Sequence, residues 1–384
     1  MVTMTSQPDV ERLLPKIRER RDEIERARKL PQDLVDEMTA TGMFKLAVPR
    51  AYGGDERGPL EMLHVTEQLA TADGSVGWCA QIAITVGMVA GLMSEQAARE
   101  VFAEPSIPAA LVFEPAGAAT EVDGGIRLTG RWRFASGVTH ARWMFVGAII
   151  MDDGKPRMTP HGPAIIHTAV PVTDVTIHDT WYVSGLCGTG STDVSVDDVF
   201  VPQHRVFSLL DETPVRPEPL YRMPQLSLVA PLTAAVALGI ARAALDELTA
   251  LAPAKVPALS MVPLAQKPVG QVEIARAEGE LRAARAFLYE TVGDIWQTVS
   301  NGEDVAPRQQ ALCRIAANLA SETGARVARL ASTLAGGGAV YNGSSFQRHA
   351  RDADVITHHM TQSQHVWEDA GRVLLGLEPL APIF

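Results

Sequence analysis

The chain has 384 residues, 46% of them hydrophobic, with 34 basic against 45 acidic side chains and a formal charge of −11. That length supports two or three structural units around a sizeable core, and the apolar content excludes a disordered chain. The acidic balance excludes a broad nucleic-acid surface, which needs clustered Lys and Arg, but leaves room for one small phosphate-bearing cofactor.

The segment 11–29 is highly charged and has no apolar leader core, which predicts a cytoplasmic protein. Leu13, Leu14 and Ile17 form a helical stripe. Pro31 suits the first turn of the next helix, Leu34, Val35 and Met38 share its face, and Gly42 suits its end. After a turn at 51–55, helices are expected over 60–71 and 75–92. The apolar stretch 76–93 has the length of a membrane span, but Gln81, its glycines and its charged neighbours predict a buried helix and no membrane. Residues 1–105 therefore read as an all-α domain.

From Pro105 the period changes to two. Ile126, Leu128, Gly130, Trp132 and Phe134 alternate, as do Trp143, Phe145, Gly147 and Ile149, and then Thr192, Val194 and Val196. Asp153-Gly154 predicts a hairpin turn, and Pro202 closes the last run. Residues 106–210 read as a β domain. Helices return over 225–250, 269–299, 308–335 and 361–376, making 211–384 a helical bundle domain. The Pro- and Ala-rich stretch 252–268 reads as a long loop and a candidate lid. Cys79, Cys187 and Cys313 form no CxxC pair, and no HExxH or carboxylate–His cluster calls for a metal.

Several segments, in order, resemble one superfamily. They are Leu30-Pro31 through Pro49 with Tyr52-Gly53-Gly54; the run from Asp73 to Trp78; Gly130 to Gly137 with His140, Ala141 and Trp143; Asp179 to Tyr182; Gly185-Leu186 and Gly188 to Ser191; Val199 to Pro202; and Arg351-Asp352-Ala353 with His359. The whole chain resembles the acyl-CoA dehydrogenase superfamily, most closely its oxygenase branch. That branch contains the two-component flavin-dependent monooxygenases related to 4-hydroxyphenylacetate, steroid-ring and dibenzothiophene oxygenases. The resemblance implies an N-terminal all-α domain, a central β barrel-like domain and a C-terminal four-helix bundle, assembled as a homotetramer.

In the dehydrogenases, a glutamate shortly after the Arg-Asp-Ala signature removes a substrate proton. The same register here falls on Met360, preceded by His358 and His359, and a thioether cannot act as a base. The oxygenase branch is therefore favoured. Its chemistry, as the resemblance implies it, begins with a separate NAD(P)H-dependent flavin reductase that supplies reduced FMN or FADH2. O2 then adds at flavin C4a, and the hydroperoxide oxygenates a small apolar, aromatic or polycyclic molecule. FMN is preferred, because no adenine-binding feature stands out.

The resemblance also assigns residues. Ser136 is placed at the flavin edge and, with His359, is the catalytic candidate; His359 suits acid–base work. Trp132, Phe134 and Gly137, with Gly188, Thr189, Gly190 and Ser191, are the other cofactor candidates. The glycine loop lacks the dinucleotide pattern GxGxxG, so no nicotinamide is expected there. Gln81, Thr85, His358 and Met360 are candidate substrate contacts. Aromatic-hydroxylating relatives often carry a histidine in the helix after Gly-Trp, where an ungapped register places Val86, which puts simple phenol hydroxylation in doubt. Three alternatives stay open: N- or S-oxygenation on this scaffold, a dehydrogenase with a relocated base, and a flavin-fold binding protein.

Overall fold

The computed structural model describes residues 10–104, 106–160, 162–210 and 214–381. Pro105 and residues 211–213, where the expected domain boundaries fall, lie outside the described residues. Six helices come first: α1 (Val10–Glu19), α2 (Arg21–Ala27), α3 (Gln32–Ala40), α4 (Pro59–Ala72), α5 (Gly74–Val89) and α6 (Glu95–Val101). The predicted stripe residues Leu13, Ile17, Leu34, Val35 and Met38 are all buried. Pro59 opens α4 at a position whose N–H no helix needs. Asp73 caps α5, its carboxylate accepting from the N–H groups of Ser75 and Val76 at 2.9 and 3.1 Å.

The strands follow: β1 (Ala109–Val122), β2 (Gly125–Ala135), β3 (Trp143–Asp152), β4 (Lys155–Pro156), β5 (Met158–Thr159), β6 (Gly162–Pro163), β7 (Ile165–Pro171), β8 (Thr176–Ile177), β9 (Thr192–Pro202) and β10 (Val206–Phe207). The main sheet runs β10-β7-β3-β1-β2-β9-β8, with β4 paired to β3. β1 and β3 are parallel, and the other pairs are antiparallel. The Asp153-Gly154 turn forms as expected, with both residues at positive φ. Strand β1 was missed because Pro115 and its alanines obscure the alternation, and β7 because it is buried along most of its length.

The C-terminal helices are α7 (Leu226–Leu251), α8 (Pro268–Ser300), α9 (Pro307–Ala335), α10 (Ser345–Ile356) and α11 (Gln364–Leu374). The polar composition of α10 hid it from the sequence reading. The segment between α7 and α8 is a loop apart from one short turn, Leu264–Gln266. Helix α7 is long and apolar enough to cross a membrane, but 89% of its most apolar window is buried inside the protein. Two glycines let it serve as the core helix. A Cβ on Gly239 would lie 2.3 Å from the carbonyl oxygen of Glu67 in α4, and one on Gly324 of α9 would lie 2.7 Å from that of Ala237. Side chains at either position would force these helices apart.

Candidate functional site

The site forms where the start of α5, the end of β2, the loop before β9 and the segment after α10 meet. Strand β2 ends in a tight turn. Phe134 takes φ +65°, the N–H of Ser136 bonds back to the Phe134 carbonyl at 2.8 Å, and Gly137 follows at φ +77°. The N–H of Gly137 then donates to the carbonyl of Thr189 at 2.9 Å, joining this turn to the glycine loop. Within that loop Leu186 and Gly190 also take positive φ.

These turns align a chain of hydroxyls. Trp78 Nε1–H donates to Ser136 Oγ at 3.0 Å. Ser136 Oγ lies 2.6 Å from Ser191 Oγ, which lies 2.7 Å from Thr189 Oγ1, and Thr189 donates to the Leu186 carbonyl at 2.8 Å. A hydroxyl carries one proton, so the last bond sets the direction of all the others. Thr189 spends its proton on the carbonyl, so Ser191 donates to Thr189 and Ser136 donates to Ser191. Ser136 Oγ, already accepting from Trp78, is left with a lone pair and no free proton.

His359 also packs against the Trp78 indole, its ring edge-on with centroids 5.3 Å apart. Its Nδ1 accepts from the Thr361 N–H and lies 2.8 Å from Thr361 Oγ1. The remaining nitrogen, Nε2, therefore carries the proton of the neutral ring. Burial, aided by the charge of Arg314, pushes His359 down to about 4, so the imidazole is neutral across the physiological range.

The loop is anchored from behind by α10. Asp352 accepts from the Leu186 N–H at 2.6 Å, and Arg351 bonds the Ser184 carbonyl while pairing with Glu25. Arg351 and Asp352 thus hold the loop in place rather than forming an ion pair of their own. Burial and the neighbouring Asp73 carboxylate push Asp352 up to about 7.

The structure brings together Ser136, Gly137, Thr189, Gly190, Ser191 and His359. Gln81 and Thr85 are buried, bonded to each other at 3.4 Å, on the α5 face that carries Trp78. One expectation needs correction. Trp132 is fully buried in the sheet core with Nε1 bonded to the Gly147 carbonyl at 2.8 Å, so it offers no ring face to a cofactor. Gly188 lies in the glycine loop under a packing constraint of its own, since a Cβ there would lie 2.1 Å from Ile24 Cγ2. The side chain of His358 is 77% exposed and Met360 is 60% exposed, flanking His359 at the start of the short helical turn Met360–Gln362. Phe134, by contrast, stands 59% exposed, edge-on to Trp181. In the sequence Trp78 is only the last residue of the motif that starts at Asp73, and tertiary packing alone shows that it contacts both Ser136 and His359. Among the described residues no cluster of three metal-binding side chains occurs.

Residues 11–103 match the family "Acyl-CoA dehydrogenase, N-terminal domain", and residues 232–364 match "Acyl-CoA dehydrogenase, C-terminal domain". The indole-3-acetate monooxygenase of Pseudomonas putida is 34% identical, over 98% of this chain and 96% of its own. The chain belongs to the acyl-CoA dehydrogenase superfamily, in its flavin-dependent monooxygenase branch. The oxygenase subunit HsaA of Rhodococcus jostii, a flavin-dependent monooxygenase, is 32% identical over 89% of this chain and 90% of its own. XiaF from Streptomyces, solved with FADH2 and glycerol, superposes with a TM-score of 0.92 at 26% identity, covering 98% of this chain and 96% of that one. The protein is accordingly an enzyme, the oxygenase component of a flavin-dependent monooxygenase, using reduced flavin that a separate reductase supplies.

Proposed function

We propose that this oxygenase inserts one oxygen atom from O2 into a largely apolar, aromatic or polycyclic small molecule. The observation that carries the reading is that Trp78 contacts both Ser136 Oγ, which keeps a lone pair, and His359, whose neutral ring keeps an Nε2–H. The residues fit a reduced flavin, whose ring N–H is a donor where the oxidised ring has only an acceptor. Ser136 Oγ matches that donor. Phe134 offers an exposed aromatic surface beside it, and Gly137, Thr189, Gly190 and Ser191 shape the loop against which the ring rests. When bound, the flavin supplies oxygen transfer through its C4a-hydroperoxide, and FMN is preferred over FAD.

The chain's own tasks are positioning, proton placement and exclusion of water. His359 holds a proton on Nε2 and can donate a hydrogen bond without becoming a cation. Two carboxylates close to the site, Asp73 and Asp352, accept from the backbone N–H groups of Ser75, Val76 and Leu186, which gives them a structural role in holding α5 and the glycine loop. Val86 packs in the apolar cluster with Val48 and Val89, and puts no imidazole beside the substrate. That favours substrates that need no base to become nucleophilic, such as indoles, or nitrogen and sulfur centres. The Pseudomonas relative's indole substrate agrees with this choice. Exposed Val340, Tyr341, Leu375 and Leu377 give apolar surface that a homotetramer would cover.

Anaerobic stopped-flow absorbance tests the proposal: reduced FMN or FADH2 is mixed with the protein, then with oxygenated buffer. A long-lived flavin–oxygen adduct, decaying faster with an oxygenated aromatic substrate, is expected. Absence of any adduct, together with bleaching of oxidised flavin by acyl-CoA compounds, overturns the oxygenation reading.

A further inference from the structure

Arg314 lies within α9, only 4% exposed, and among the described residues its guanidinium has no hydrogen-bond or ion-pair partner. Burial pushes it down to about 10, which leaves it charged at neutral pH. Asp369, the acidic residue whose charge it feels, is already engaged. Its carboxylate accepts from the N–H groups of Leu380 and Ala381 at 2.6 and 3.2 Å. A buried cation without a partner is strongly unfavourable unless something else neutralises it.

Its surroundings share the same deficit. Asn318 Oδ1, Ser321 Oγ, Gln362 Oε1 and Ser227 Oγ are shielded from solvent and have no partner among the described residues. Arg314, Asn318 and Ser321 stand at i, i+4 and i+7, on one face of α9. Three hydrogen bonds draw the elements together around them: Cys313 Sγ to the Ser227 carbonyl at 3.6 Å, Gln362 Nε2 to the Ala230 carbonyl at 3.0 Å, and Asn318 Nδ2 to the Ser363 carbonyl at 3.2 Å. His359 borders this cluster, since its imidazole feels the charge of Arg314.

We propose that Arg314 binds the carboxylate of the substrate, so that this oxygenase acts on aromatic acids rather than on neutral aromatics. The assignment rests on the oxygenation reading above. A guanidinium presents parallel N–H donors that match a carboxylate's two oxygens. One cation balances one carboxylate, whereas a phosphate dianion would meet too little positive charge and the unpartnered oxygens of Asn318 and Gln362. Water alone would satisfy the donors but would add no countercharge beyond the Asp369 carboxylate, which is already engaged elsewhere. Those two oxygens suit a donor, either a bound water or an N–H or O–H of the substrate. An aromatic acid gripped here would extend from Arg314 past His359 toward Ser136.

Calorimetric binding of indole-3-acetate and phenylacetate, each beside its neutral carboxamide, tests the assignment. The native protein is expected to bind at least one acid about tenfold or more tightly than its amide. Arg314→Met should abolish that preference, and Arg314→Lys should keep part of it, with far-UV circular dichroism confirming that both variants fold. Equal binding of acids and amides by the native protein, or an undiminished preference in Arg314→Met, overturns the proposal. So does binding of neither. Product analysis with reduced flavin and O2 separates the two readings. Acids that are preferentially bound but never oxygenated sink the oxygenation reading and leave the anion site standing, while oxygenation of neutral aromatics without acid preference does the reverse.

Discussion

Asp352 accepts a 2.6 Å hydrogen bond from the backbone N–H of Leu186, and this contact between α10 and the glycine loop positions the hydroxyls that face Ser136. Burial holds Asp352 at about 7, above its ordinary value of 3.8. The folded chain therefore keeps a proton that the unfolded chain releases between those values. Stability should fall as pH rises from 3.8 to 7, by at most roughly 1.4 kcal/mol per unit from this group. Asp352→Asn keeps an accepting oxygen and removes the titration. Denaturation midpoints should show the variant gaining on the native protein as pH rises; an offset independent of pH refutes the assignment.

His359 titrates with the opposite sign. Its folded value of about 4 lies below the ordinary 6.5, so the unfolded chain gains the proton first and stability is lost as pH falls from 6.5 to 4. His359→Asn should be less sensitive to acid over that window. His359→Ala should lower the oxygenation rate on the order of 10²-fold, measured as single-turnover product formation over time, with a lower product yield per reduced flavin consumed. A His359→Ala variant with the native yield would remove this residue from the chemistry.

The direction of the hydroxyl chain makes Ser191 the residue that keeps Ser136 an acceptor. Replacing Ser191 by Ala frees the Ser136 proton, so the preference for reduced over oxidised flavin should shrink. Ser136→Ala should instead weaken reduced flavin and cost about 1–3 kcal/mol of stability by stranding Trp78 Nε1–H. Flavin titrations in both redox states distinguish the two variants. Identical ratios in all three proteins would show that the chain does not sense the flavin.

Phe134 holds a left-handed backbone that costs a non-glycine residue about 1–2 kcal/mol. Phe134→Gly should lower that strain while removing the exposed ring, so thermal stability should hold or rise as flavin affinity falls. Unchanged affinity would mean that Phe134 plays no part in holding the cofactor.

Much of this protein is legible in the sequence because local patterns carry it. Leu13, Ile17 and Leu34 mark helix faces by their spacing, the β2 and β3 alternations mark strands, and Asp153-Gly154 marks its turn. The ordered motifs from Leu30 to His359 point to the superfamily, and Met360 at the proton-abstracting position points away from the dehydrogenases. Alternation could not separate Trp132 from Phe134: both lie on β2, but the positive φ at Phe134 breaks the alternation and turns its ring outward while Trp132 enters the core. Adjacency likewise could not separate His358, His359 and Met360, since the chain leaves His359 half-buried against Trp78 and exposes the other two. Only tertiary structure set the direction of the Trp78–Ser136–Ser191–Thr189 chain, because its bonds join residues 55 and 58 positions apart. It alone also left Arg314 buried and, among the described residues, unpaired, because partnership depends on which side chains from α7, α9 and residues 359–363 converge, and no periodicity along one segment records that.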